Sequence, residues 1–175
     1  HTFSGKISSC LVNPRACYET EFPIEPAATP KKVAVVGAGP AGLSAAITAA
    51  QRGHTVTLFD RDAQIGGQLN MAKQIPGKEE FWGLVDWFGT MIETVGGTKR
   101  LNTTVTADDL TGFDHVIIAT GVDPRDPQIE GQDLPHVHSY VEVLRDGVEI
   151  GKSAVVIGAG GIGFDVSEFL THGHA

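Results

Sequence analysis

Charge is scarce and one-sided in this chain of 175 residues: charged residues make up 19%, with 13 Lys and Arg against 21 Asp and Glu, a formal net charge of −8. That balance excludes the basic surface that nucleic acid or an anionic membrane would require. Cysteine is nearly missing, with Cys10 and Cys17 alone, which excludes a disulfide scaffold and favours a reducing, cytoplasmic compartment. No basic segment followed by an apolar run opens the chain, so no signal peptide is expected. The one long uncharged run, residues 33–50, touches the lower limit of a membrane span. Gly37, Gly39, Pro40 and Gly42 would break a lipid-exposed helix there, and β-branched valines precede them, so the run reads as strand, turn and helix. No Gly-x-Ser-x-Gly nucleophile signature is present. The pairs His136/His138 and His172/His174 lack third and fourth ligands nearby, so zinc is not expected.

What is abundant is glycine, 22 residues in all, about 13% where average usage is roughly 7%. The glycines cluster without a three-residue period, which excludes collagen and calls for tight backbone turns. Hydrophobic residues at 41% and a mean hydropathy of −0.00 suffice for the core of one typical domain and exclude wholesale disorder. The chain opens on His1 and closes on Ala175 within an unfinished motif, so a segment of a longer protein is expected.

Pro23, Pro26 and Pro30 make residues 21–30 an extended linker. After it, residues 33–36 form a short apolar strand, residues 41–52 an alanine-rich helix closed by Gly53, and residues 55–59 a second strand, together a βαβ unit. Phe81, Leu84, Val85, Phe88 and Ile92 recur at helical spacing within residues 79–95, which Gly96 and Gly97 end. The aromatic stripe of Phe81, Trp82, Trp87 and Phe88 is expected to pack on a sheet rather than stack on a ligand. Residues 98–106 are polar and β-rich, residues 116–119 read as a buried strand, and residues 153–157 begin the strand-turn-helix pattern again.

Gly37-Ala38-Gly39-Pro40-Ala41-Gly42 follows a strand and opens a helix, the context in which GxGxxG binds a dinucleotide. Gly37 permits the sharp exit from the strand, Gly39 the approach of a pyrophosphate, and Gly42 close packing of helix on sheet. The anion would meet free N–H groups at the positive end of the helix dipole. Asp60, at the end of the second strand, can accept hydrogen bonds from ribose hydroxyls. A second such loop, Gly158-Ala159-Gly160-Gly161-Ile162-Gly163, follows Ala154-Val155-Val156-Ile157, and two loops imply two dinucleotides. The strand whose end would separate NAD from NADP lies beyond the chain.

Gly66-Gly67-Gln68 and Ala119-Thr120-Gly121 lie between the loops. With both GxGxxG motifs and Asp60, the pattern resembles the flavoproteins that bind FAD and NAD(P)H, the glutathione- and thioredoxin-reductase-like class. Their redox Cys-x-x-Cys pair is missing. The stretches Ser9-Cys10-Leu11-Val12-Asn13-Pro14-Arg15-Ala16-Cys17, Ala72-Lys73-Gln74-Ile75-Pro76-Gly77-Lys78-Glu79-Glu80-Phe81 and Gly161-Ile162-Gly163-Phe164-Asp165 resemble, more narrowly, the bacterial NADPH-dependent 2,4-dienoyl-CoA reductases. In that family an FMN-containing barrel and a four-cysteine 4Fe-4S site precede an FAD domain with an inserted NADPH domain.

The resemblance implies an α/β, FAD-binding Rossmann-like domain with the start of a second nucleotide-binding βαβ unit. Residues 1–30 would be the end of the iron-sulfur segment and a linker, 31–150 an incomplete FAD domain, and 151–175 the start of an NADPH domain. It implies Cys10 as a cluster ligand and leaves Cys17 structural. For FAD it implies Ala41 and Gly42 at the pyrophosphate and Asp60 at the ribose. Gln68 and Lys78 would lie near the phosphate and ribityl chain, Val105 would offer its backbone to adenine, and Gly121 would join Gly37 and Gly39 in the cradle. Gly158, Gly160 and Gly163 would hold NADPH. Electrons would pass from NADPH through FAD and the cluster to FMN, which reduces an acyl-CoA substrate bound by the missing barrel. No catalytic acid is identified, and the segment alone is expected to be inactive as a dienoyl-CoA reductase. The same pattern fits an enoate reductase, a trimethylamine dehydrogenase-like enzyme, or a non-catalytic electron-transfer module.

Overall fold

The computed structural model of the chain describes residues 2–172. Four short strands, β1 (Lys32–Val36), β2 (Thr55–Phe59), β3 (Thr98–Arg100) and β4 (His115–Ile118), pair in parallel in the order β3-β2-β1-β4. Register aligns Val33 with Val56 and Val35 with Leu58 across β1 and β2, so these four side chains share one face. Against that face pack α1 (Pro40–Gln51) and α3 (Glu80–Thr94), burying Leu43, Ala46, Ile47, Phe88 and Ile92. The remaining α-helices among the described residues are α2 (Leu69–Ala72), α4 (Tyr140–Leu144) and α5 (Gly161–Thr171).

Glycines end α1 and α3 in the same way. Gly53 (φ 91°) donates to Ala50 O and His54 to Ala49 O after α1. Gly96 (φ 73°) donates to Glu93 O and Gly97 to Ile92 O after α3. Both are Schellman motifs, in which a left-handed residue satisfies the last helical carbonyls and turns the chain toward the next strand.

Four expectations need correction. Residues 116–119 do not form a buried strand: β4 is an edge strand, with Val116 41% and Ile118 66% exposed, because nothing among the described residues covers that flank of the sheet. The aromatic stripe divides. Phe81 and Phe88 enter the core, whereas Trp82 and Trp87 are about half exposed, since helical neighbours point roughly 100° apart and only one of two can face the sheet. Trp82 instead takes the Lys73 ammonium over its ring at 3.8 Å. The β-rich reading of residues 98–106 holds only to Arg100. There Asn102 (φ 52°) turns the chain, and the Asn102 and Thr103 N–H groups donate to Asp62 O and Asp60 O. Residues 153–157 form no strand, and Val155 and Ile157 are 89% and 74% exposed. A strand exists only beside a partner, and no described strand lies alongside these residues.

No helix among the described residues is long and apolar enough to cross a membrane.

Candidate functional site

Chain order runs outward from β1 to β2 and β3 on one side, while β4 returns to the other side of β1. The order therefore reverses between β1 and β4, and parallel α/β sheets bind ligands at the carboxyl ends of the strands flanking such a point. Three glycine-rich turns converge there. The turn after β1 carries Gly37 (φ 109°), whose N–H donates to Phe59 O. A Cβ at Gly37 would strike the Ala119 carbonyl of the turn after β4, and one at Gly67 would stand 3.0 Å from Gly39 Cα. Gly66 N–H donates to Ala38 O, and the Gln68 amide donates to Val122 O at 3.1 Å, joining the second turn to the first and the third.

Above Gly39 the space is open, since a Cβ there would meet nothing within 4 Å. Gly39 caps α1 without a side-chain hydrogen bond, and no acidic residue occupies the first turn. Pro40 has no N–H, and the first intrahelical bond runs from Leu43 N to Gly39 O, so the Ala41 and Gly42 N–H groups remain free for an anion. The chemistry of these donors and the room above them fit a dinucleotide pyrophosphate.

Asp60 has a second duty that the sequence does not announce. Its Oδ2 accepts from Ala38 N–H inside the glycine turn, and its Oδ1 from Asp62 N–H. The carboxylate thus pins the turn it is expected to serve. Removing it in Asp60→Ala strands the Ala38 donor, and hydrogen bonds to charged groups contribute roughly 1.5–3 kcal/mol. The expected result is a loss of stability of about that size in urea unfolding together with at least tenfold weaker dinucleotide binding, with Asp60→Asn intermediate because its amide oxygen still accepts.

The second loop repeats the first. Gly158 (φ 114°) matches Gly37, and Gly160 (φ −87°, ψ −179°) caps α5 as Gly39 (φ −75°, ψ 179°) caps α1. A Cβ at Gly163 would overlap Gly158 O as one at Gly42 would overlap Gly37 O.

Lys78 lies in the turn between α2 and α3. Its Nζ pairs with Asp165 Oδ2 at 2.6 Å, in the second turn of α5. The turn that presents it is fixed by Gly77 N–H donating to Glu79, whose carboxyl is held below the usual range by that bond. The Gln74 amide reaches Leu144 O at 2.6 Å, and Ile75, Leu144 and Val166 bury one another. Gly121 (φ 78°) is exposed beside the turn after β4, and Val105 is half-buried two residues past the Thr103–Asp60 bond. The partners Asp165 and Val122 O were legible only as sequence neighbours of GxGxxG and Ala-Thr-Gly motifs.

Cys10 is exposed in the N-terminal arm, as is Cys17, held at φ 66°. Among the described residues no three His, Cys, Asp or Glu side chains gather where a metal ion could sit. A cluster of four irons takes four thiolates, and the described residues assemble no such set around Cys10. His136, His138 and His172 are exposed, and Gly173 and His174 lie outside the described residues.

Fold and site define a flavoprotein-type α/β domain, of the kind that binds FAD and NAD(P). The chain belongs to the pyridine nucleotide-disulphide oxidoreductase family, whose model matches residues 31–173. It is 38% identical over 168 residues to an NADH oxidase of Thermoanaerobacter brockii, covering 92% of this chain and 26% of that protein. It is 35% identical over 169 residues to a cinnamate reductase of Clostridium sporogenes, covering 93% and 24%. The solved complex of 2-naphthoyl-CoA reductase with 2-naphthoyl-CoA superposes with a TM-score of 0.89 at 36% identity, over 96% of this chain and 26% of that one. Mycobacterium tuberculosis FprA in complex with NADPH, at 23% identity, TM-score 0.57 and 66% of this chain, shares the fold alone. The chain spans about a quarter of the length of these curated relatives, and it is related through them to flavin oxidoreductases.

Proposed function

We propose that the chain is the electron-accepting segment of a larger flavin-dependent reductase, with FAD on the first glycine loop and a nicotinamide dinucleotide on the second. The observation that carries this reading is the pair of loops built to one geometry, the first ringed by the turns after β2 and β4. Bound flavin would supply the redox chemistry, taking up a hydride and releasing electrons singly. The chain's own residues bind and orient. Ala41 and Gly42 N–H hold the pyrophosphate, Asp60 offers its remaining lone pairs to the ribose, and the Gly66–Gln68 turn packs beside Gly39.

The substrate of the whole protein is proposed from its relatives' chemistry. Those named for cinnamate and 2-naphthoyl-CoA favour a conjugated acid or its CoA thioester. A 2,4-dienoyl-CoA, reduced with NADPH during unsaturated fatty acid oxidation, is the reading that the sequence motifs favour. An enoate is the second reading. The 4Fe-4S cluster and FMN are proposed for the assembled protein, with Cys10 as one cluster ligand.

The test is a fluorescence-quench titration of the chain with FAD against FMN, with circular dichroism to report folding. Saturable binding of FAD in preference to FMN, abolished in Gly39→Ala, is the expected result. Binding of FMN in preference, or of neither flavin by the folded chain, overturns the assignment. Full-length enzyme with no rate on 2,4-dienoyl-CoA but turnover of cinnamate would select the second reading.

A further inference from the structure

We infer that Asn102 is a positioning residue for the adenosine half of the first dinucleotide, holding Asp60 and the backbone that leads to Val105 in one arrangement. The inference rests on the proposed function in taking the end of β2 as the ribose site. Strands β2 and β3 pair in parallel up to Phe59 and Arg100, and the ladder takes one further step, Asp60 N–H donating to Arg100 O at 3.0 Å. An unbroken parallel ladder would next give Asp60 O the N–H of residue 102. Instead Asp60 O accepts from Thr103 N–H at 2.8 Å, and Asn102 N–H donates to Asp62 O at 3.0 Å. One residue is inserted, a bulge at the rim of the sheet.

The insertion works because Asn102 is left-handed, at φ 52°. In an extended strand successive N–H groups point to opposite sides, whereas a left-handed residue turns its own N–H and the next toward the same side. Two donors therefore reach the 60–62 turn together. Asp62, so held, gives its own N–H to Asp60 Oδ1, while Oδ2 accepts from Ala38 N–H. The carboxylate is thereby fixed from both sides, with Asn102 acting on it through Asp62. On its other side Asn102 starts the path to Val105, past Thr103, whose hydroxyl donates to Leu101 O at 3.0 Å. The Asn102 side chain is exposed, so packing does not explain its place. Asparagine is among the few non-glycine residues that take this conformation readily. Among the described residues Cys17 and Gln128 share it, but they lie in the N-terminal arm and in the exposed segment after β4.

The test is a series at residue 102 in the full-length protein, stripped of FAD and titrated with FAD, with ADP as competitor for the adenosine half and NADPH as the ligand of the second loop. Asn102→Val introduces a β-branched residue, for which a left-handed backbone is an outlier, so the turn relaxes in the free protein and binding must close it again. FAD affinity is expected to fall about tenfold, the scale that left-handed strain sets. Competition by ADP weakens by the same factor, and NADPH affinity stays within about twofold of wild type. Asn102→Gly adopts the conformation without strain and keeps FAD affinity. Asn102→Ala falls between the two and takes the place of the valine variant if that protein does not fold. Thermal melts accompany each titration. A merely structural turn predicts a lowered Tm in Asn102→Val with FAD bound by the folded protein as in wild type, and that outcome overturns the inference. So does an Asn102→Gly protein that loses FAD as far as the valine variant, since the side chain and not the backbone would then be the agent. A wild-type protein that binds neither FAD nor ADP overturns the proposed flavin site and this inference together, whereas wild type and all variants binding FAD equally overturns the inference alone.

Discussion

Gly42→Ala is expected to unfold the first loop and, with it, much of the chain's stability. The added methyl would overlap the carbonyl oxygen of Gly37, a backbone atom with no rotamer to escape into. Gly37 cannot retreat, because it is fixed at φ 109° with Ala119 O immediately behind it. Overpacking of a close-fitted interior costs roughly 1–3 kcal/mol and occasionally more, and a clash against backbone on both sides belongs at or above the top of that range. For a domain of this size about 3 kcal/mol corresponds to a fall in Tm of roughly 6–12 °C. Gly39→Ala provides the contrast. Its methyl stands in open space at an extended φ of −75° that any residue adopts, so stability should stay within about 0.5 kcal/mol while FAD binding is lost, because the same methyl fills the path of the pyrophosphate. Thermal melts and FAD titrations of both variants check the pair. A Gly42→Ala protein that melts like wild type would show that the turn is looser than the structure describes.

Leu58→Ala is the second large effect. Leu58 is fully buried in β2 with Leu43 and Ile92 also completely enclosed, all three in the cluster between the sheet and helices α1 and α3. Truncating such a side chain forfeits its transfer free energy and leaves a cavity, about 2–5 kcal/mol in comparable cores. Against a net stability of roughly 5–15 kcal/mol, that is a large share of what holds the chain folded. Urea unfolding should show the midpoint lowered with little change in slope. Ile118→Ala, at a position 66% exposed on β4, should cost less than about 0.5 kcal/mol. Equal losses at the two positions would mean that β4 is covered in solution.

The first βαβ unit was legible because each of its parts carries a local signal. The short apolar run of residues 33–36, the glycines that force the turn, and the Gly53 that caps α1 are each readable within a few residues. Strand ends and cap positions accordingly agree with the structure to within a residue or so. The rest depends on what a segment meets. The apolar run at 153–157 has every local mark of a strand and lacks only a neighbour, and the valine and isoleucines of β4 look buried until the sheet proves to be open on that side. Trp82 and Trp87 are expected in the core as members of an aromatic stripe at helical spacing, whereas their phase on α3 puts them at its margin. Asp60 is expected to meet a ribose from its position after β2, but its grip on Ala38 N–H was not legible, because nothing in the spacing says which backbone donor a carboxylate will find. The pairing of Lys78 with Asp165 was not legible for the same reason: 87 residues separate the two, and only the docking of α5 brings them together.

The open flank beyond β4 bears on handling the protein as well as on its architecture. An edge strand with Val116 and Ile118 in solvent lies in the same chain as an uncharged, unpaired run from Ala154 to Ile157. Neither stretch contains the lysine or proline with which sheet proteins commonly guard such places. Two molecules meeting along these stretches could extend a ladder from one to the other, so concentration acts on this chain as a reagent. A segment packed over β4 would shield the sheet and keep it from pairing with its own copies.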